Sequence, residues 1–136
     1  MPLNAMRSSI AAIFVLLASL TRGGDVEAIA VVIGDMHSAY ERTAQFVARV
    51  DRVRMENPGV PLVVLIDGDT FELGNVVARR SEGAVEFAMF GALAKLAPTV
   101  LNLGNHEPEF FDMADTVARV QATGVTVIGG MKPFAS

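Results

Sequence analysis

The sequence contains no cysteine, which excludes a disulfide framework, a thiolate metal site and a cysteine nucleophile. Basic residues are also few: 11 Lys and Arg stand against 15 Asp and Glu, for a net charge of -4. They form no block, which argues against a partner held by a broad basic surface, such as a nucleic-acid polymer. No internal repeat, low-complexity tract or linker divides the 136 residues. With 51% hydrophobic and 19% charged residues, the chain belongs with single globular domains large enough to bury a core.

A long hydrophobic run is missing too. The one continuous apolar stretch, Ile10 to Leu20, falls well short of the roughly 20 residues a membrane span needs. Arg7 precedes it and small residues follow it, at Gly23-Gly24 or at Val26-Glu27-Ala28. This is the pattern of a secretory signal peptide, so residues 1–28 are expected to be a cleaved leader and the protein secreted or periplasmic. A core helix and a retained membrane anchor are the alternatives.

Beyond the leader, short apolar runs alternate with amphipathic stretches. Ala28–Ile33, Leu62–Ile66, Val100–Leu103 and Val125–Ile128 have the length and aliphatic content of strands buried on both faces. Between the first two, Ser38 and Glu41 form a capping-box pattern ahead of Ala44, Val47, Ala48 and Val50, up to Asn57-Pro58-Gly59. Between the second and third, Ser81 is placed to cap a helix with an apolar face at Val85, Ala88, Met89, Leu93 and Leu96, ending before Pro98. Asp112 or Asp115 can cap a third, carrying Val117 and Val120 and closed by Gly124. The expected fold is therefore α/β, in the order βαβαβαβ around a parallel sheet. Right-handed crossovers bring all the strand C-termini to one edge, where open α/β folds build their sites.

Three of those strand ends carry the unusual residues: Gly34-Asp35-Met36-His37, Asp67-Gly68-Asp69 and Gly104-Asn105-His106-Glu107. Both histidines of the chain fall among them. Asp35 and His37, two apart, can offer a carboxylate oxygen and an imidazole nitrogen to one cation. Asp69 adds a carboxylate able to bridge two ions about 3.5–4 Å apart, and Asn105 adds a carbonyl oxygen. His106 is left free for proton transfer. Any one of these turns reads equally well as an ordinary turn former; three at matching positions read as a site.

These motifs resemble, in order and spacing, the first three of the calcineurin-like metallophosphoesterases. The leader and the run Glu107-Pro108-Glu109-Phe110 are most similar to the secreted 5'-nucleotidase branch, in which Asn-His-Glu is usually followed by Phe-Asp. The resemblance covers about residues 28 to 130 and implies that residues 29–136 form one half of a metallophosphoesterase sandwich. It implies two divalent ions (Mn, Zn, Fe or Co), one held by Asp35 and His37 and the other by Asn105, with Asp69 between them. His106 would donate a proton or stabilise the phosphoryl charge, with Glu109 in the place of the family's orienting Asp. The implied substrate is a small phosphate ester or nucleotide, attacked by water with no covalent enzyme intermediate.

One departure bears on activity. Family members carry further histidine ligands downstream, and this chain has no third histidine. A truncated product or a second chain that completes the site is expected, with weak metal binding, little turnover and association through an exposed last strand. A metal-binding or structural module without catalysis is the competing reading. Three further features have two readings each. Arg79-Arg80 is a solvated loop or a phosphate clamp, Phe110-Phe111 a packing anchor or a base-stacking pair, and Glu72 an exposed loop carboxylate or a support for the metal ligands.

Overall fold

The computed structural model describes residues 17–18 and 26–129. Most of the expected leader lies outside them. Four strands, β2 (Ile29–Ile33), β3 (Leu62–Asp67), β4 (Thr99–Asn102) and β5 (Thr126–Ile128), pair parallel in chain order. The expected α/β order is thus present, with one addition. A two-residue strand β1 (Leu17–Ala18), inside the apolar run, pairs antiparallel on the free edge of β2, with Leu17 opposite Val31 and Ala18 opposite Ala30. The unpaired N–H and C=O groups of an edge strand are a template for such an addition.

The helices fall where the alternation puts them, with different ends. α1 runs Tyr40–Glu56 and begins at Ala39 without a side-chain cap. Ser38 is buried at φ 51° and its hydroxyl donates to Glu86, 48 residues away. The capping box at Ser38 and Glu41 is therefore not formed. The buried face of α1 is Phe46, Val50 and Val53, while Ala44 and Ala48 are exposed, because the larger side chains bury more apolar area per position.

The helix expected to be capped by Ser81 begins instead at Ala84, and a short helix precedes it in the segment expected as a loop. α2 (Val76–Ser81) is capped by Asn75, whose side chain accepts from the N–H groups of Val77 and Ala78. Left-handed Glu82 and Gly83 then break the chain before α3 (Ala84–Leu96). Ser81 is the last residue of α2, and exposed Arg79 and Arg80 lie in its last turn, where cations complement the helix dipole. α4 (Met113–Ala122) is capped by Asp112, which accepts from the Asp115 N–H at 2.8 Å.

Val31, Ile33, Val64, Ile66 and Leu101 from the strands form one buried cluster with Phe46, Val50, Met89, Phe90, Leu93 and Val120 from the helices. The alternate strand residues Val32, Leu65, Val100 and Ile128 point the other way and line an open groove. Among the described residues no helix covers that face, and Ile128 is 53% exposed. A half-sandwich has this form: one sheet face packed, the other bare. Leu101→Ala, at a fully buried position, is expected to lower stability by about 2–5 kcal/mol in urea denaturation; a loss within about 0.5 kcal/mol, typical of surface changes, would place Leu101 outside the core.

Candidate metal centre

The turns after β2 and β3 are knit together backbone to backbone. The N–H groups of Asp35, His37 and Ser38 donate to the carbonyls of Gly68, Asp69 and Thr70 at 3.3, 3.0 and 2.9 Å. Asp35, His37, Ser38 and Asp69 all have φ between 44 and 51°. Left-handed backbone costs a residue with a Cβ about 1–2 kcal/mol, so the surrounding bonds must hold these corners in place.

The strongest of those restraints is Glu107. It is 1% exposed and its carboxylate accepts three backbone N–H groups. Oε2 takes those of Gly104 (2.6 Å) and Asp69 (3.1 Å), and Oε1 takes that of Thr70 (2.9 Å). One side chain thereby ties the loop after β4 to the loop after β3. Gly104 permits the approach, since a Cβ there would lie 2.2 Å from Asp69 Oδ1 and 2.6 Å from its nitrogen. A Cβ on Gly68 would likewise lie 2.7 Å from the Gly104 nitrogen. The Thr116 hydroxyl donates to the Glu107 carbonyl at 3.3 Å, docking α4 on the same loop.

On this frame Asp35, His37 and Asp69 converge, their ligand atoms all lying within 4.8 Å of one another. His37 Nε2 is 4.0 Å from Asp35 Oδ1. The Asp35 side chain is 73% exposed, so this cluster faces solvent. Two carboxylates and an imidazole form a donor set for Mn, Zn, Fe or Co. The Nδ1 of His37 is buried and makes no hydrogen bond, while Nε2 lies on the side of Asp35. Asp69 Oδ1 also accepts the His106 N–H at 3.0 Å. Asn105 sits exposed in the same turn, and among the described residues no contact joins its side chain to the other three. His37, Glu72 and His106 form a second group of the same compactness.

The His106 ring meets that of His37 edge to face, with centroids 4.6 Å apart. Its Nδ1 contacts Glu109 Oε1, and Glu109 Oε2 accepts the Leu73 N–H. Burial opposes the charged imidazolium, but the Glu109 hydrogen bond and the charges of Glu109, Asp69 and Glu72 outweigh it. The His106 pKa is raised as a result.

Other residues take structural roles. Phe110 packs on Phe71 (5.7 Å) and Phe111 on Phe87 (6.3 Å), with the Arg119 guanidinium 3.8 Å above the Phe111 ring; the pair anchors packing. Asp67 points away from the cluster and pairs with Asn102 at 3.0 Å. The part played by Glu107 was not legible in the sequence. It is a bond to backbone groups, and only its place behind Gly-Asn-His marked it.

A carboxylate-histidine cluster at the C-terminal edge of a parallel sheet defines the class, a metal-dependent hydrolase site. Residues 30–131 match the calcineurin-like phosphoesterase family, and the chain belongs to it. No curated protein matches the chain. Among solved structures it is similar to the nuclease MPE of Pseudomonas putida, at 21% identity and a TM-score of 0.47, over 89% of this chain and 62% of that one. The chain thus spans less than two thirds of that nuclease.

Two substitutions test the frame. Gly104→Ala is expected to displace Asp69 and unfold the site locally. Glu107→Gln turns an amide NH₂ toward backbone donors and is expected to cost about 1–3 kcal/mol. Amide exchange at Asp69, Thr70 and Gly104 would report both, and unchanged protection in either variant would contradict the clasp.

Proposed function

We propose that this domain hydrolyses small phosphomonoesters, nucleoside 5'-monophosphates being the class best supported. In this reading Asp35 and His37 hold one divalent ion, Asn105 serves a second, and Asp69 lies between them. When bound, the ions would polarise the phosphate and activate water. His106 delivers a proton to the leaving oxygen and Glu109 holds its ring through Nδ1. The observation that carries the reading is the pairing of His106 with Glu109 beside Asp69: an acid oriented by one carboxylate, its pKa raised by its neighbours, and its backbone N–H bonded to the carboxylate cluster.

The absence of a basic tract supports a small substrate over a polymer. Arg7 and the apolar run support a leader and a secreted or periplasmic protein. Among the described residues no helix is long and apolar enough to cross a membrane. The bare sheet face and exposed Ile128 support self-association.

A second reading, metal binding without turnover, is favoured by the ligand count. Both histidines of these 136 residues are already placed, so further ligands would come from water or from protein beyond these residues.

Calorimetric titration of Mn into metal-stripped protein is expected to show saturable binding that Asp69→Asn removes. Slow Mn-dependent phosphate release from AMP is expected, falling about 100-fold or more in His106→Ala. Faster cleavage of an oligonucleotide than of AMP would sink the monoester assignment, and saturable binding with no turnover would select the second reading.

A further inference from the structure

His37 belongs to both candidate ligand groups, with Asp35 and Asp69 and with Glu72 and His106. A neutral imidazole has one lone pair and one N–H, so it cannot ligate an ion in each. The geometry points to a division: we infer that Glu72 is a positioning residue, accepting the Nδ1–H of His37 so that the Nε2 lone pair faces Asp35 and Asp69. The inference rests on the metal reading of that cluster and extends it to a carboxylate outside the ligand set.

Three observations support it. Glu72 Oε2 lies 3.4 Å from His37 Nδ1, a few tenths of an ångström beyond the usual N–H···O range of about 2.7–3.2 Å. That nitrogen is buried and makes no hydrogen bond, whereas Nε2 lies toward Asp35, whose side chain is open to solvent. A substrate has access on the Nε2 side and none at Nδ1.

Glu72 is also held for the task. Its Oε1 accepts the Gly74 N–H at 2.8 Å, which leaves Oε2 for His37. The next residue, Leu73, is tethered through its N–H to Glu109, the carboxylate on His106 Nδ1. The short segment after β3 thus serves both histidines, each with a carboxylate at Nδ1. A carboxylate behind a metal-bound histidine fixes its tautomer and raises its basicity, and its loss typically weakens metal binding about 10- to 100-fold.

The test reads the tautomer directly, by long-range ¹H–¹⁵N NMR of the histidine rings in the metal-free protein, at a pH where His37 is neutral. The Nδ1–H form is expected in the parent protein. Glu72→Ala should shift His37 toward the Nε2–H form, while Glu72→Gln, which keeps an oxygen acceptor, should retain Nδ1–H. Mn titration should follow, with affinity about 10- to 100-fold weaker in Glu72→Ala and largely restored in Glu72→Gln. An Nε2–H tautomer in the parent, or one that Glu72→Ala leaves unchanged, would overturn the assignment. So would a Gln variant that loses Mn as fully as Ala while the tautomer holds, since that would make Glu72 a ligand. Failure of the parent to bind Mn, with the tautomer shift present, would refute the metal reading and leave the Glu72–His37 contact standing.

Discussion

A single buried carboxylate sets the geometry of this protein's working edge. Glu107 gathers backbone N–H groups from the loops after β3 and β4, and a charge out of water is tolerable only when its lone pairs are filled in this way. The side chains at Gly68 and Gly104 must be absent for the loops to come close enough. With that contact made, Asp69 is turned left-handed, its carboxylate receives the His106 N–H, and the β2 loop pairs along the other side. The candidate ligands are placed by a backbone arrangement in which their own N–H and C=O groups take part.

Much of the fold was readable because the strands announce themselves. Short aliphatic runs in regular alternation with amphipathic stretches leave few arrangements other than a parallel sheet, and Asp112 caps α4 as its type and position suggest. Ser38 is different: its hydroxyl is taken by Glu86, a partner no local pattern can reveal. The short helix α2 was hidden because residues 76–81 are too few to show a helical period, and Gly83 was the available sign that the next helix starts after it. In α1 the aliphatic count favoured Ala44 and Ala48, and the bulk of Phe46 and Val53 decided which face was buried.

The site was legible to a different depth. Residue types at strand ends located the cluster, because the chemistry of metal ligation uses few side chains. How the cluster is held was legible only in part: Glu109 beside His106 and Glu72 as a support were among the sequence's readings, whereas Glu107 acts through backbone groups that no residue type reveals. Three glutamates of similar appearance in sequence have three tasks: clasping two loops, facing His37 and facing His106. Only their neighbours in space separate them.

The four left-handed corners have a consequence for how such a domain changes over time. At each of them glycine would sit more comfortably than the residue present, by about 1–2 kcal/mol, so relief of strain at Asp35, His37 or Asp69 comes only with loss of the donor atom. Selection for stability and selection for chemistry therefore pull these positions in opposite directions. A lineage released from the second would drift toward a sturdier protein with an empty edge.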